Sequence, residues 1–197
     1  MKEIKKILIK VTFLISLTLQ LNANEGALNI GEENAKIHIK VFSSLTCPHC
    51  ANFHKNIFDN LKKEYIDKGL VKFEHHSFPL DLAALNAEII VRCVKDKEKS
   101  FQLLDKIYEN QSKWAVGSDI NKINESIKKI GKNFGLDESE MNECLKNEEY
   151  QNQILNNRIE AQKKYKIEST PTIFINEKKY KGDHKYKQFK KSIEKLL

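Results

Sequence analysis

Two cysteines separated by two residues are the most reactive groups that the sequence places close together. They are Cys47 and Cys50, with Pro48 and His49 between them. Thiol–disulfide exchange proceeds by attack of a thiolate on a disulfide sulfur, and a close pair of this kind can open and close its own disulfide. The spacing therefore predicts a redox-active dithiol.

The surroundings of Cys47 are expected to lower the pKa of its thiol, which in a free cysteine is about 8.5. A helix start offers unpaired backbone N–H groups and the positive end of the helix dipole. His49 can donate a hydrogen bond or carry a positive charge, and Pro48 suits the first helical turn. A stabilised Cys47 thiolate stabilises the reduced dithiol, so the disulfide becomes a stronger oxidant.

Other uses of the Cys-x-x-Cys pair fit the sequence less well. A c-type haem site has histidine directly after the second cysteine, where Ala51 stands. A zinc site would need a second close pair, but Cys93 and Cys144 are far apart in the chain. A purely structural Cys47–Cys50 bond closes too small a ring to restrict the unfolded chain much. We therefore expect neither a metal nor a cofactor.

A strand and a helix are predicted on either side of the dithiol. Residues 37–42 are rich in β-branched and aromatic residues, which is typical of a short buried strand. After the cysteines, apolar residues recur at every fourth position and indicate one face of a helix over about 48–66: Phe53, Ile57, Leu61 and Tyr65. Cys50 falls on this apolar face, whereas Cys47 lies near the helix start and is expected to be more exposed.

The remaining chain predicts two incomplete parts of one sheet with helices between them. A second strand is expected at 70–75, parallel to the first. A later strand at 172–176 is expected to turn through Glu177 and Lys178 into a hairpin partner at 179–180. The intervening helices are expected near 82–93, 98–110, 119–134, 137–145 and 148–165, and a closing helix near 186–196.

These elements predict an α/β fold with a helical insertion. Residues 24–80 and 166–197 would form one domain, and residues 81–165 the inserted helical domain. Residues 24–36 are polar and predict a lead-in to the first strand.

Residues 1–23 are typical of an export signal. Lysines come first, an apolar core covers 11–21, and cleavage is expected after Ala23. The core is shorter than the roughly 20 residues that span a bilayer, although an uncleaved membrane anchor is the alternative. Export would place the cysteines in an oxidising compartment, where disulfides persist.

Charge does not favour a nucleic-acid partner. The chain of 197 residues has a formal net charge of +7, but its only arginines are Arg92 and Arg158, and no aromatic–basic pattern accompanies its lysines. A lysine-rich solvated surface explains the charge.

Pro171 is the second candidate site residue. It follows Thr170 and directly precedes the predicted strand at 172–176. An X–Pro bond can be cis at modest cost, and a cis bond here would free the backbone groups of Thr170 for pairing with an extended substrate chain. An ordinary trans proline that opens a strand is the alternative.

Together, these motifs resemble the DsbA family of exported thiol:disulfide oxidoreductases, which have a thioredoxin fold with an inserted helical domain. The resemblance rests on the Cys-Pro-His-Cys motif at 47–50 after a strand, the helical block, and the Thr-Pro-Thr motif at 170–172 before a strand. It covers nearly all of the chain after the predicted signal.

The resemblance implies roles for individual residues. Cys47 would exchange with client proteins, Cys50 would resolve the mixed disulfide, His49 would tune Cys47, and Pro171 would be cis and lie against the pair. It also implies a periplasmic location and a DsbB-type quinone-linked membrane protein as the reoxidant.

If Cys47 and Cys50 pair with each other, Cys93 and Cys144 are the two cysteines that remain and can form a second bond. Each lies on the apolar face of a predicted helix in the inserted block, and a bond between them would be a structural disulfide. Two buried free thiols are the alternative. The histidines outside the motif are interpreted as surface or supporting residues: His54, His75 and His76.

The predicted function is that of an exported, monomeric oxidant that donates the Cys47–Cys50 disulfide to reduced client proteins. A disulfide isomerase or reductase of the same fold is the alternative, because the hydroxyl of Thr170 can hydrogen-bond a sulfur and shift the potential. A chaperone-like binding module with a structural disulfide is the alternative from another class.

Overall fold

One mixed five-stranded sheet lies at the centre of the protein in the computed structural model, which describes residues 26–197. The predicted signal and its cleavage site lie outside this range. The strand order is β1-β3-β2-β4-β5. The strands are β1 (Ala27–Ile30), β2 (Ile37–Ser43), β3 (Val71–Ser77), β4 (Thr172–Ile175) and β5 (Lys178–Lys179).

Strands β2 and β3 pair in parallel, as predicted, and the other pairings are antiparallel. Within the predicted lead-in at 24–36, the edge strand β1 was missed: it pairs with β3 from Ala27 opposite His76 to Ile30 opposite Phe73. All four residues of β1 are half-buried, so they lack the contrast between a buried and an exposed face that identifies a strand locally.

The hairpin turn lies one residue earlier than predicted, at Asn176 and Glu177. Both have positive φ, 44° and 63°, as a two-residue turn of the primed type requires. Asn176 tolerates this conformation and is held in place by His38: its backbone N–H donates to the His38 carbonyl over 2.9 Å, and its Oδ1 accepts from the His38 N–H over 2.8 Å.

Helix α1 covers residues 48–66, as predicted. Its α-helical segments Pro48–Phe53 and Asp59–Leu61 alternate with π-helical turns at His54–Phe58 and Lys62–Ile66. The predicted apolar face is buried throughout, with no member more than 5% exposed. This face packs the helix against the sheet and sets the position of its first turn.

Six helices lie between β3 and β4: α2 (Leu82–Cys93), α3 (Lys97–Glu109), α4 (Gln111–Trp114), α5 (Ile120–Lys132), α6 (Glu138–Lys146) and α7 (Glu148–Tyr165). Helix α8 (Tyr186–Glu194) closes the fold. Asp119 caps α5, and Asp137 with Glu140 forms a capping box on α6. The short helix α4 was not predicted.

The largest cluster of buried apolar residues runs from the sheet through α1 into the helical block. It joins Ile39 of β2 and Phe58 of α1 to Leu104 of α3 and Ile127 of α5. The helices thus pack on the same core as the sheet, and the limits 24–80, 81–165 and 166–197 stay a prediction. Within residues 26–197, no helix has the length and apolarity needed to cross a bilayer.

Candidate active site

A four-residue loop joins the end of β2 to the start of α1 and presents Cys47 directly before the first helical turn. The backbone N–H of Cys47 donates to the carbonyl of Ser44 over 3.1 Å. The Cys47 carbonyl accepts from the N–H groups of Cys50, over 3.0 Å, and Ala51, over 3.2 Å. Pro48 lies in the first turn, where its lack of an N–H costs nothing.

A buried glutamine from the helical block holds this loop. Gln111, the first residue of α4, donates from Nε2 to the carbonyls of Leu45, over 2.7 Å, and Cys47, over 3.0 Å. Sequence reasoning missed Gln111, because a single glutamine in a polar stretch carries no local signal of what it will contact.

The segment after β3 holds the other side of the loop. Thr46 donates through Oγ1 to Oδ2 of Asp81 over 2.8 Å, and the second oxygen of Asp81 caps α2 by accepting from the N–H of Ala84. The hydroxyl of Ser44 accepts from the N–H of Leu80 over 3.3 Å. The loop is therefore held on one side by Gln111 and on the other by the segment after β3.

Both sulfur-bearing side chains are buried, Cys47 with 7% exposure and Cys50 with 1%. Cys47 is the more exposed of the two, although by less than its place at the helix start suggested. Pro48 and His49 are exposed. A partner approaching from solvent therefore meets His49 and the sulfur of Cys47 before that of Cys50.

The Thr170–Pro171 segment lies against the dithiol. The peptide bond between these residues is cis, and the thiol of Cys47 donates to the carbonyl oxygen of Thr170 over 3.3 Å. The hydroxyl of Thr170 is enclosed and has no conventional partner in the described part of the chain, so it is available to a sulfur.

The pKa values of the two thiols move in opposite directions. A hydrogen bond from Cys50 is the largest cause that lowers the pKa of Cys47, to about 5. The Thr170 hydroxyl and the backbone N–H groups of Cys50 and His49 lower it further, against the effect of burial. Burial, followed by the neighbouring Cys47, raises the pKa of Cys50 far above its ordinary value. The pair thus has a thiol that ionises readily, Cys47, and a thiol that stays protonated, Cys50.

Of the two roles predicted for His54 and His75, surface or supporting residue, the structure shows the second: their exposures are 5% and 2%. The Nε2 atom of His54 bonds to a carboxylate oxygen of Asp105. The Nε2 atom of His75 lies 2.7 Å from Oε1 of Glu88. Burial opposes ionisation of Glu88, but the charge and hydrogen bond of His75 outweigh it and lower the pKa of that carboxyl group. Both histidines have supporting contacts in the interior.

Cys93 and Cys144 form a disulfide that ties the end of α2 to α6. Their Cα atoms are 6.1 Å apart and their positions differ by 51 in the sequence. The bond lies within the helical block and does not include either cysteine of the 47–50 motif.

The family model described as Thioredoxin matches residues 23–195. This chain belongs to the thioredoxin family. A solved structural neighbour of this thioredoxin-family chain is alpha-DsbA1 of Wolbachia pipientis, with 27% identity, a TM-score of 0.80, and coverage of 87% of this chain and 91% of that one. The predicted thioredoxin fold with an inserted helical region and the resemblance to DsbA proteins are confirmed.

Two relatives of this thioredoxin-family chain have names that describe disulfide chemistry. A Rickettsia bellii protein, provisionally named a protein-disulfide oxidoreductase, is 32% identical over 85% of this chain and 60% of its own length. Disulfide bond formation protein D of Bacillus subtilis is 28% identical over 88% of this chain and 78% of its own length. The chain thus spans about 60% of the length of the Rickettsia relative.

Proposed function

We propose that this protein is an exported thiol:disulfide oxidoreductase that donates its Cys47–Cys50 disulfide to reduced client proteins during oxidative folding. The observation that carries the proposal is the placement of the two sulfurs: Cys47 stands directly before the first helical turn, 3.3 Å from the Thr170 carbonyl oxygen, and Cys50 is 1% exposed. These surroundings lower the pKa of Cys47 to about 5 and raise that of Cys50. A stabilised Cys47 thiolate favours the reduced dithiol, so the disulfide gives up its bond readily. The names of the relatives support the same chemistry.

The cycle begins when a client thiolate attacks the sulfur of Cys47. The Cys47–Cys50 bond breaks, its electron pair passes to the sulfur of Cys50, and Cys50 takes up a proton. A second client thiolate then attacks the client sulfur of the mixed disulfide and expels Cys47 as a thiolate. A thiol of low pKa is a good leaving group, so Cys47 suits this last step.

The Thr170–Pro171 segment is proposed to receive the client chain. The Thr170 carbonyl lies 3.3 Å from the Cys47 sulfur, and an extended client segment can pair with this backbone as an added strand. Leu80 and Leu82 are 54% and 55% exposed. They stand on either side of Asp81, whose carboxylate accepts the hydrogen bond of Thr46. Such an apolar rim suits the apolar side chains of an unfolded client.

The proposed setting is the periplasm, after removal of residues 1–23. A DsbB-type quinone-linked membrane protein would restore the disulfide. We propose a monomer that binds clients one at a time and has no nucleic-acid partner. The sequence of the N-terminus and the DsbA neighbours support this setting.

An isomerase or reductase is the second candidate, and the enclosed Thr170 hydroxyl beside the sulfurs is the observation that favours it. The reduction potential, measured by equilibration with glutathione, separates the two. An oxidase is expected to lie well above the roughly −270 mV of thioredoxin, and a value near that of thioredoxin would overturn the oxidase role.

Disulfide transfer to a reduced, unfolded client tests the chemistry itself. The oxidised protein is expected to transfer its disulfide, and Cys47→Ser is expected to abolish transfer. Alkylation of the reduced, folded protein at about pH 6 completes the test. A Cys47 thiol that reacts no faster than a free cysteine would support the binding-module alternative instead.

A further inference from the structure

Positive charge is concentrated in residues 178–197. This segment has eight lysines and two carboxylates, Asp183 and Glu194, and therefore a formal net charge of +6. Residues 24–177, which follow the predicted signal, have 22 lysines and arginines against 24 acidic residues, a net charge of −2. The charge is thus not spread evenly along the chain, and one short segment is strongly basic.

Helix α8 lies in this basic segment and has two contrasting faces. Phe189 and Ile193 are fully buried, and the ring of Phe189 lies 5.8 Å from that of Phe53 on α1. Residues four apart share one face of a helix. The opposite face, together with the residue that follows the helix, carries exposed lysines at every fourth position: Lys187, Lys191 and Lys195. We call these three residues the lysine stripe.

The lysine stripe has no ion-pair partner among the described residues. Two carboxylates bind Lys190, on the edge of α8, instead: its Nζ atom lies 2.6 Å from Oε2 of Glu64 and 3.9 Å from Oε1 of Glu194. Glu194 is the one acidic residue within α8. Because like charges at this spacing repel each other, the lysine stripe gains from an anion supplied from outside the protein.

Two exposed leucines adjoin the lysine stripe. Leu196 and Leu197 follow Lys195 directly and are 39% and 45% exposed. The backbone N–H of Leu196 donates to the carbonyl of Ile193 over 2.9 Å, which holds this leucine at the last turn of α8. Lysines together with exposed leucines are typical of helices that lie on a membrane surface, where the charges meet the headgroups and the apolar side chains enter the acyl boundary.

We propose that the lysine stripe, with Leu196 and Leu197, binds the surface of a membrane that contains anionic phospholipids. Each lysine near such a surface strengthens binding about fivefold, and the leucines add apolar contact with the acyl boundary. A nucleic acid or an acidic protein segment also offers negative charge, but without an apolar layer that receives the leucines. A lipid surface therefore suits both features of this face.

The loop before α8 connects this face to the dithiol helix. The ring of His184 in this loop lies 6.1 Å from that of Phe53, which follows Cys50 by three positions. A protein bound through α8 would therefore keep its dithiol near the membrane, where the proposed reoxidant lies. This consequence rests on the function proposed for Cys47 and Cys50, whereas the binding itself does not.

Sedimentation with vesicles of phosphatidylglycerol and phosphatidylcholine measures the binding. The full-length protein is expected to bind at about 0.1 M salt, and more weakly as added salt shortens the screening distance. The triple variant Lys187→Gln, Lys191→Gln, Lys195→Gln is expected to bind about 100-fold more weakly, because it loses about fivefold for each lysine. Unchanged affinity of this variant would overturn the inference.

Three other exposed lysines provide the matched control, the triple variant Lys95→Gln, Lys97→Gln, Lys99→Gln. It removes the same charge, but from positions that alternate with Asp96 and Glu98. Because these carboxylates already offset the local charge, the control is expected to bind within about twofold of the wild type. Residues 1–23 are the same in every variant. An equal loss in both triple variants would indicate a response to total charge and would overturn the inference.

Acetylation of lysines, located by mass spectrometry, identifies the bound face of the full-length protein directly. Vesicles are expected to protect the lysine stripe and to leave Lys95, Lys97 and Lys99 reactive. Equal protection of both sets would overturn the inference, and so would binding to duplex DNA or polyglutamate without binding to vesicles. Disulfide transfer to a client without vesicles is expected to be equal in all variants. A wild type that binds vesicles but transfers no disulfide would overturn the proposed function alone.

Discussion

The side-chain nitrogen of Gln111 lies 3.0 Å from the carbonyl oxygen of Cys47, although the two residues are 64 positions apart. Through this bond the first residue of α4 holds the first turn of α1 in place. The same nitrogen also donates to Leu45. The helical block therefore contributes directly to the shape of the loop that presents the dithiol.

Replacement of Gln111 by leucine is expected to lower the free energy of unfolding by about 1–3 kcal/mol. The Leu45 carbonyl would lose its side-chain donor, whereas the Cys47 carbonyl would keep the N–H groups of Cys50 and Ala51; one unsatisfied buried polar group costs about this much. Urea unfolding of the oxidised protein measures the loss. The matched control is Gln102→Leu on the exposed face of α3, which is expected to change stability by no more than about 0.5 kcal/mol. Equal effects of the two substitutions would contradict the role of Gln111.

Replacement of Cys50 by alanine is expected to raise the pKa of Cys47. The hydrogen bond from Cys50 is the largest cause that lowers this pKa to about 5, and alanine removes it. The ultraviolet absorbance of the thiolate, followed across pH, reports the change. Cys50→Ser keeps a hydroxyl donor and is expected to titrate closer to the reduced wild type. The explanation fails if the alanine variant and the wild type titrate alike.

The stability of the reduced form is expected to rise with pH between about 5 and 8.5. The pKa of Cys47 is about 5 in the folded protein, below the roughly 8.5 of an unfolded cysteine. The unfolded state therefore binds more protons in this window, and the free energy of unfolding increases with pH. The stabilisation is complete above about pH 8.5 and is lost as pH falls through 5.

Cys50 acts in the opposite sense at higher pH. The pKa of Cys50 is raised in the folded state. Its contribution to the free energy of unfolding is therefore expected to decline above about pH 8.5, where an unfolded cysteine loses its proton. Denaturant unfolding of the reduced protein, with the oxidised protein as reference at each pH, measures both effects. A difference between the two forms that stays constant from about pH 5 to 8.5 would rule out a depressed Cys47 pKa.

Replacement of Cys93 and Cys144 by serine is expected to lower the free energy of unfolding by about 4 kcal/mol in the chain-entropy treatment of a loop of this length. The bond joins positions 51 apart. Its loss therefore increases the conformational freedom of the segment between them in the unfolded chain. We expect the potential of the Cys47–Cys50 pair to stay unchanged, since the proposed role of the second disulfide is structural. A variant as stable as the wild type would contradict that role, and a shifted potential would indicate regulation of the dithiol.

Elements with strong periodicity were predictable because their signal is local. The apolar face of α1 repeats every four residues, and all of it is buried. Strand β1 was missed because its four residues are equally half-buried and owe their conformation to pairing with β3. The hairpin turn was misplaced by one residue because Asn176 pairs with His38, far away in sequence.

The histidines show the same division within the site. His49 was found because it lies inside the Cys-x-x-Cys motif. His54 was interpreted as a surface or supporting residue. Its hydrogen-bond partner, Asp105, lies 51 positions later in the chain, so the residues near His54 in sequence do not indicate it.

Spacing and periodicity along the chain were enough to place a dithiol between a strand and a helix and to mark Cys50 as the more buried of its two cysteines. These properties depend on neighbours within a few residues, and helix and strand geometry translates them directly into position. The packing of distant elements decided what surrounds the sulfurs. It brought the Thr170 carbonyl to 3.3 Å from Cys47 across 123 positions. It also brought Gln111 to the loop before α1 and Asp105 to His54 of α1. Those contacts depend on how the helical block folds back on the sheet, which no local pattern records.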